Sequence, residues 1–429
     1  MSTDRSAWLV QPCDATRART RVASTFMSEG AKDQKYDVCV IGGAGHVGAP
    51  LAIVLANKGV RTLVYDVNER ALGELRAGRM PHLENGAEPE LARALKGGAL
   101  AFTSDPSCVA NAEILVVTIG TPIDEFHNPR LDVVTKCLDL LLPYMHDGQS
   151  VILRSTVFPG VTEFVDHYLR QHGKNLPVAF CPERVVQGNA IEELQTLPQI
   201  VSGTTTKAEK MAAALFGRIA PSIVTMVVKE AEFAKLLTNA YRYIQFAAAN
   251  QFYMMVEAAG LDHARLLAGL KQDYPRLRDL PGPGFAAGPC LMKDTMQLVA
   301  FENNHFSLGS TAMMVNEGLP NFIVERLKLR HTLRSKRVGI LGMAFKADVD
   351  DIRDALSYKL GKILRFEGAA VSYSDEFAKD PTFVSAEKLV DEADIVVVGV
   401  PHSAYKKLPV PKRVDLVDLW GVIKPELRA

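Results

Sequence analysis

Cys290 stands in the segment Cys290-Leu-Met-Lys-Asp294, directly after a loop rich in proline and glycine and at the start of a predicted helix. Backbone dipoles at a helix N-terminus lower the pKa of a thiol, and Lys293 adds a positive charge nearby. Asp294 is four residues on, so it shares a helix face with Cys290. The pattern indicates a nucleophile and a carboxylate one turn apart. The residues alone leave open the alternative of a buried structural cysteine.

Two further pairs of polar residues have spacings that suit a ligand site. Lys235 and Asn239 are an i, i+4 pair on a long predicted helix, although spacing alone favours an ordinary solvated face. Lys346 and Arg353 follow the strand and turn of a second α/β segment. Two cations in that position suit a phosphate-rich ligand, and ordinary surface charge is the alternative.

A glycine-rich turn, Gly43-Ala-Gly-His-Val-Gly48, follows the first predicted strand and opens a helix. Gly43 suits the tight turn, Gly45 a close approach of a pyrophosphate, and Gly48 close packing of helix on strand. Asp66 ends the next strand, about 20 residues on, where a carboxylate accepts hydrogen bonds from a ribose diol. Its charge would repel a 2′-phosphate, so the pattern favours NAD over NADP. A turn without a ligand is the alternative.

The elements that must position these residues alternate between strand and helix in the first half of the chain. Apolar, β-rich runs predict strands at residues 36–41, 61–65, 114–118, 150–154, 178–181 and 199–202. This alternation is typical of a doubly wound parallel sheet. From residue 229 the apolar residues recur at helical steps, and from residue 334 a second strand–glycine start opens another α/β segment. We therefore predict an α/β fold with two Rossmann-like domains joined by a helical one.

The composition excludes several classes of protein. Of the 429 residues 48% are apolar, and 49 basic residues balance 49 acidic ones. Zero net charge argues against a nucleic-acid partner bound through bulk charge. Six cysteines without a CxxC pair predict reduced thiols in the cytoplasm and no zinc site or other metal site. We expect no membrane span, and we interpret residues 1–35 as a flexible extension, with a vector-derived or mis-started segment as the alternative.

Taken together and in this order, these features resemble the UDP-glucose/GDP-mannose dehydrogenase family. The likeness runs from about residue 36 to the C-terminus. Besides the glycine-rich turn it is carried by six motifs: Ile119-Gly-Thr-Pro122, Ser155-Thr-Val157, Pro182-Glu183, Glu232-Phe-Ala-Lys-Leu-Leu-Thr-Asn239, Cys290-Leu-Met-Lys-Asp294, and Phe345-Lys346 with Asp350-Asp-Ile-Arg353.

The resemblance implies that the C6 hydroxyl of a nucleotide sugar is oxidised to a carboxylate in two NAD-dependent steps, for polysaccharide or glycoconjugate synthesis. Cys290 would attack the C6 aldehyde, and the thiohemiacetal would become a thioester that water hydrolyses. Lys235 and Asn239 would stabilise charge on the C6 oxygen. Asp294 would orient water and tune Lys235. Proton transfer or water positioning would fall to Thr156 and Glu183.

The resemblance also implies binding residues and an assembly. NAD would contact Gly43, Gly45, His46, Val47, Gly48, Asp66, Thr121, Thr156 and Arg353. A nucleotide sugar, expected to be UDP-linked, would contact Glu183, Lys235, Asn239, Phe285, Gly288 and Lys346. Arg276 matches an arginine that reaches the neighbouring subunit's sugar, which implies a homodimer through the central helix. The implied domains are NAD-binding at 36–228, helical and dimerising at 229–333, and nucleotide-sugar-binding at 334–429.

Several residues depart from the family pattern. Ala286 and Ala287 replace glycines of the loop before Cys290, and Pro289 removes an N–H beside the nucleophile, so the backbone there must differ or already suit those residues. Gln187 stands where UDP-glucose enzymes often carry Glu. The segments at residues 86–89 and 182–185 look more like the N-acetylhexosamine branch. The alternatives are a two-electron dehydrogenase of the β-hydroxyacid type and a catalytically silent NAD-binding regulatory protein.

Overall fold

The computed structural model describes residues 36–125, 129–424 and 426. The predicted extension at residues 1–35, with Cys13, lies outside the described residues. No helix within the described residues is long and apolar enough to cross a membrane. Short 3-10 helices lie at Pro106–Asn111, Leu142–Tyr144, Pro275–Leu277, Leu333–Ser335 and Ser403–Lys407.

The first part of the structure is an eight-stranded sheet with helices on both faces. Its strand order is β3-β2-β1-β4-β5-β6-β7-β8, and every neighbouring pair is parallel except β6 with β7. The strands are β1 (Tyr36–Ile41), β2 (Thr62–Tyr65), β3 (Leu100–Thr103), β4 (Ala112–Val117), β5 (Ser150–Leu153), β6 (Val178–Phe180), β7 (Gln199–Gly203) and β8 (Ile223–Thr225). The helices are α1 (Gly48–Asn57), α2 (Glu69–Arg76), α3 (Ala87–Lys96), α4 (Leu131–Leu141), α5 (Val161–Gln171), α6 (Ala190–Thr196) and α7 (Thr206–Phe216).

Strand β1 shows why this sheet is covered on both sides. Val38 and Val40 belong to one buried apolar cluster, whereas Cys39 and Ile41 belong to another. Successive side chains of a strand point to opposite faces, so an unbroken apolar run feeds two cores. The sequence at this strand therefore requires helices on both faces of the sheet.

The central part consists of helices α8 (Val228–Ala258), α9 (His263–Lys271), α10 (Leu291–Phe301) and α11 (Ser307–Lys328). Helix α8 has 31 residues, which corresponds to about 46 Å, and it packs against α10 and α11. Its first turns are anchored to the first sheet by Glu232. This buried carboxylate accepts the N–H groups of Gly160 and Thr162, at the start of α5, at 2.6 and 2.8 Å.

The last part is a four-stranded parallel sheet in the order β10-β9-β11-β12. Its strands are β9 (Arg337–Leu341), β10 (Ala370–Ser374), β11 (Ile395–Val398) and β12 (Asp415–Val417), with helices α12 (Leu356–Phe366) and α13 (Ala386–Glu392). Asp375 follows β10 and accepts the backbone N–H groups of Met343 and Ala344 at 2.6 and 2.9 Å. Its carboxylate also contacts the buried imidazole of His402 at 3.0 Å. The Asp375 carboxylate therefore has its hydrogen-bonding partners within the protein.

The structure confirms the predicted fold class and adds elements that the sequence did not reveal. Among the elements without a predicted counterpart are β3, β8, β10 and α9. Strands β3 and β8 lie at the two edges of the first sheet, and β10 lies at an edge of the second. Edge strands are half-covered and short, so their residues lack the continuous apolar run that marks a central strand.

Candidate active site

The glycine-rich turn joins β1 to α1 with no space for side chains on its inner side. A Cβ on Gly43 would lie 2.6 Å from the carbonyl oxygen of Val40, and one on Gly48 would lie 2.5 Å from the Cα of Gly43. A Cβ on Gly45 would meet nothing closer than 3.5 Å. Val47 precedes α1 without a side-chain cap. Ala49 donates its N–H to the carbonyl of Gly45 at 3.0 Å and Pro50 has no N–H, so this turn offers an anion fewer backbone donors than an ordinary helix start.

Asp66 ends β2 beside this turn. One of its oxygens accepts the N–H of Ala44 and the other accepts the N–H of Asn68, both at 2.9 Å. Unlike Asp375, Asp66 is only half-buried and retains lone pairs for a ligand. The turn and the carboxylate together fit the pyrophosphate and the ribose of NAD.

Threonines follow the next two strands at the same edge of the sheet. The hydroxyl of Thr121, after β4, donates to the carbonyl of Thr156, after β5, at 2.5 Å. Ser155 donates to the carbonyl of Ile119 at 2.7 Å. Both threonines are half-buried. The carboxyl ends of parallel strands form the usual ligand crevice of such sheets, so Thr121 and Thr156 line the edge where the glycine-rich turn lies.

Cys290 lies immediately before α10 and is exposed. Asp294, one turn on, is fully buried, and its carboxylate accepts the amide N–H of Asn239 at 2.6 Å. Lys293 forms an ion pair with the other oxygen of Asp294, also at 2.6 Å. Helices α8 and α10 thus bring Asn239, Asp294 and Cys290 together. Lys235 is buried one turn before Asn239, and its charge interacts with the thiol of Cys290.

The electrostatics of this cluster correct one expectation, the lowered pKa of Cys290. The pKa of Cys290 is raised above its ordinary value of 9.0, not lowered. Although the residue is open to solvent on one side, the protein around it desolvates the thiol, and the charge of Asp294 opposes a thiolate. The opposing effect of Lys293 is limited because that cation is paired with Asp294. Asp294 contacts Lys293 and Asn239, and its expected effect on Lys235 stays a prediction.

Glu183 follows β6 and is held rigidly. One oxygen forms an ion pair with the guanidinium of Arg154, and the other accepts the N–H groups of Arg184 and Val185 at 2.7 and 2.9 Å. Arg154 is itself buried and donates to the carbonyl of Cys181 at 3.2 Å. The arrangement fixes the carboxylate of Glu183 in place.

The loop before Cys290 is held at its start by two asparagines. Asn250 is fully buried, and its amide both accepts the N–H of Gly284 at 2.8 Å and donates to the carbonyl of Gly284 at 3.0 Å. It also donates to the side chain of Asn316 on α11 at 2.9 Å. This clamp fixes the backbone six residues before Cys290.

The residues that depart from the family pattern fit this backbone. Neither Ala286 nor Ala287 has a positive φ, so glycine is not required at those positions. Gly288 does have a positive φ of 98°, and a Cβ there would collide with the ring of Phe345. Phe285 is buried in the apolar cluster beneath the second sheet. The structure therefore gives Phe285 a packing role and leaves Gly288 beside Phe345 and Lys346.

The cations of the last domain face the first domain. Lys346 donates to the carbonyl of Gln187, in the loop after Glu183, at 2.9 Å. Arg353 forms an ion pair with Asp351, which lies 3.8 Å from His46 of the glycine-rich turn.

Arg276 lies apart from this cluster in a single chain. It is exposed on the 3-10 helix at Pro275–Leu277 and stacks on Tyr274, with 5.9 Å between guanidinium and ring centre.

Arg154, Asn250 and Asn316 were missed at the level of sequence. Asn250 had a detectable signal, because it follows Asn239 by 11 residues on one helix, about three complete turns, and so lies on the same face. Arg154 is a single charge at the end of an apolar strand, which gives no indication of its partner. Asn316 lies among mixed residues on α11 and has no comparable signal.

A dinucleotide-binding turn beside a half-buried carboxylate, together with an exposed cysteine that has buried polar neighbours, defines a dinucleotide-dependent dehydrogenase that carries a candidate nucleophile. Three family models match the chain: the NAD binding domain of the UDP-glucose/GDP-mannose dehydrogenase family at residues 36–220, its central domain at 229–318, and its UDP binding domain at 339–425. The chain therefore belongs to this family, and its cofactor is NAD.

Relatives and solved structures agree with this assignment. The chain is 30% identical, over 91% of its length and 90% of the relative's, to the UDP-N-acetyl-D-mannosamine dehydrogenase of Methanocaldococcus jannaschii. A solved UDP-D-ManNAc dehydrogenase from Pyrococcus horikoshii matches with a TM-score of 0.84 and 26% identity, covering 91% of this chain and 96% of that one. A UDP-glucose dehydrogenase from Pyrobaculum islandicum matches with a TM-score of 0.83 and 26% identity, covering 92% and 96%.

Proposed function

We propose that this protein oxidises the C6 hydroxyl of a UDP-linked N-acetylhexosamine to a carboxylate in two NAD-dependent steps, with Cys290 as the nucleophile. The observation that carries the proposal is the exposed Cys290 one turn from Asp294, with Lys235 and Asn239 on the facing helix. A two-electron dehydrogenase has no need of such a cysteine. When bound, NAD supplies the hydride acceptor for each oxidation.

Each step assigns a defined task to the residues of the chain. In the first oxidation the C6 carbon loses a hydride and its hydroxyl releases a proton to solvent, and Lys235 and Asn239 hold the C6 oxygen while negative charge develops on it. The Cys290 sulfur then bonds to the aldehyde carbon, and the thiol proton passes to the oxygen. Loss of a second hydride and of that proton leaves a thioester. Water adds to it, which releases the carboxylate and regenerates the thiol.

The raised pKa of Cys290 gives the surrounding cations a function. A neutral thiol must lose its proton as it attacks, and the positive charges of Lys235 and Arg353 stabilise the sulfur as negative charge develops on it. Glu183, fixed by Arg154, suits a role in orienting the hydrolytic water, with Thr156 beside it on the same edge of the sheet. Asp294 holds Asn239 in the orientation that points at the substrate oxygen.

The N-acetylhexosamine preference rests on the names of the relatives and on Gln187. The M. jannaschii and Campylobacter jejuni relatives are both UDP-N-acetyl-D-mannosamine dehydrogenases. We expect NADH production from a panel of nucleotide sugars to be fastest with a UDP-N-acetylhexosamine. The Cys290→Ser variant should not form the acid. Acid formation by Cys290→Ser at the wild-type rate would refute the nucleophile, and NAD binding without turnover of any sugar would support the silent regulatory alternative.

The assembly that we propose is a homodimer through α8, acting in the cytoplasm, with the domain limits 36–228, 229–333 and 334–429. Large apolar side chains are exposed along α8, among them Leu237, Tyr241, Phe252 and Met255. An exposed apolar stripe of this kind is typical of a protein interface. The exposed Arg276 would complete the site of the partner.

Mixed dimers provide the test of that exchange. Arg276→Ala and Cys290→Ser should each be inactive alone. In a co-expressed mixed dimer, the site that retains Cys290 receives Arg276 from the other chain, so activity should return at one of the two sites. Absence of recovery in purified mixed dimers would show that Arg276 does not act across the interface.

A further inference from the structure

Asp351 holds the guanidinium of Arg353 in one orientation. Its side chain is 4% exposed, whereas that of Arg353 is 55% exposed. The carboxylate accepts the backbone N–H of Arg353 at 3.0 Å, Nε–H at 2.9 and 3.0 Å, and Nη2–H at 2.6 Å. A guanidinium has five N–H donors in a planar fork, so the edge that carries Nη1 is left for a ligand.

The same carboxylate also reaches two loops of the NAD-binding domain. The side-chain amide of Gln187 donates to it at 3.2 Å, and Nε2 of His46 lies 3.8 Å away. His46 belongs to the glycine-rich turn. Gln187 belongs to the loop that begins at Glu183, and its backbone carbonyl accepts a hydrogen bond from the ammonium group of Lys346. One carboxylate therefore touches a segment expected to bind NAD, a segment expected to bind the sugar, and the arginine between them.

Two features indicate that Asp351 does more than stabilise the fold. Arg353 lies close enough to Cys290 for their charges to interact, so its position affects the reaction site. The rings of His46 and His82 lie 4.0 Å apart between their centres, tilted at 46° to each other. Burial holds the pKa of both imidazoles below the ordinary value, so Arg353, rather than either imidazole, balances the charge of Asp351.

We propose that Asp351 is a positioning residue that couples the two ligand sites, so that a bound nucleotide sugar tightens the binding of NAD, and the reverse. The inference rests on the proposed function, because it takes Arg353 and the glycine-rich turn as the cofactor contacts. Coupling between two binding sites is reciprocal, so each ligand must change the affinity of the other by the same factor.

The test is calorimetric titration of NAD with and without saturating UDP, which cannot be oxidised. We expect UDP to tighten NAD binding in the wild type by about 5-fold or more, and this factor to fall to about one in Asp351→Asn. Asp350→Asn is the matched control. It makes the same charge change at the adjacent residue and should retain the coupling, because among the described residues Asp350 accepts a hydrogen bond from the N–H of Leu83, at 3.3 Å.

A second variant keeps the inference testable if Asp351→Asn does not fold. Arg353→Lys keeps a cation beside Asp351 but removes the planar fork, and it should also lose the coupling. Wild-type coupling in either folded variant, or no coupling in the wild type, would overturn the role of Asp351. Failure of the proposed function has a separate signature, because it appears as absent turnover whatever the coupling factor.

Discussion

Asp294→Asn should make Cys290 more reactive toward alkylation while lowering turnover. The buried carboxylate of Asp294 lies one turn from Cys290, as the hydrogen bond from its N–H to the carbonyl of Cys290 at 2.9 Å shows. The charge of Asp294 is the second cause of the raised thiol pKa, smaller than desolvation, and it also neutralises the charge of Lys293. An asparagine removes the negative charge, frees that cation, and keeps a similar shape.

The size of the effect follows from the helix geometry. Side chains at i and i+4 are about 6 Å apart, and two unit charges at that distance interact by about 2.8 kcal/mol at an effective dielectric constant of 20. That corresponds to about two pKa units, and the open side of Cys290 reduces it toward one. The thiolate fraction at neutral pH, and with it the alkylation rate, should rise by about 10-fold to 100-fold.

The assay is the rate of iodoacetamide labelling of the Cys290 peptide, followed by mass spectrometry between pH 6 and pH 10. In the wild type the rate should rise through the whole range up to pH 9, because the pKa of Cys290 lies above 9.0. The matched control is Glu302→Gln at the far end of α10, which makes the same charge change on the same helix. Labelling in that control should follow the wild type.

Two results would contradict the reasoning. A plateau in wild-type labelling below pH 8 would mean that the thiol is already acidic, as the sequence alone suggested. Labelling of Asp294→Asn no faster than that of the wild type would mean that the carboxylate does not control the thiol. Either result would leave Asp294 with one role, which is to orient the side chain of Asn239.

Three further changes should have measurable effects. Asn250→Asp removes the donor to the carbonyl of Gly284 and should lower the thermal unfolding midpoint by an amount equivalent to about 2 kcal/mol or more, measured by calorimetry. Burial alone raises the pKa of Asp375, but the contact with His402 lowers it to about 2, so Asp375→Asn should cost about 2 kcal/mol of stability at neutral pH. Tyr241→Asp should give a monomer by light scattering, because it charges the exposed stripe of α8.

Each of these changes has an outcome that would count against it. For Asn250→Asp it is a wild-type melting curve with normal turnover. The lowered pKa of Asp375 stabilises the folded protein when the pH is above the pKa of this group in the unfolded chain, about 4. That contribution to stability is lost as the pH falls from about 4 toward 2. The stability gap between wild type and Asp375→Asn should therefore narrow over that range, and a constant gap would contradict the assignment. A dimeric Tyr241→Asp would point to another interface.

The sequence predicted most of what depends on local pattern. The glycine-rich turn, Asp66 and Cys290 lie in strand–turn or loop–helix segments whose geometry follows from residue types and short spacings, and the structure has each of them in that setting. Lys235 and Asn239 were ambiguous at the level of sequence, because i, i+4 spacing cannot tell a buried site from a solvated face. Their burial is a consequence of packing between α8 and α10, which no local pattern reports.

What could not be predicted depends on contacts between residues distant in the chain. The ion pair of Arg154 with Glu183 joins two strand ends. Desolvation of Cys290 by the folded protein, together with the charge of Asp294, reverses the expected direction of the thiol pKa. Backbone dipoles at the helix start favour a thiolate, but desolvation and a neighbouring carboxylate outweigh them here. Such a balance requires distances and burial, which only the folded chain supplies.

The central claim is a four-electron oxidation that passes through Cys290, and the most direct measurement is the yield of NADH per molecule of limiting UDP-N-acetylhexosamine. The mechanism requires two molecules of NADH per sugar, a carboxylate product, and no accumulation of free aldehyde, because the thiohemiacetal retains it until the second oxidation. One NADH per sugar, with an aldehyde or ketone as the final product, would contradict the claim.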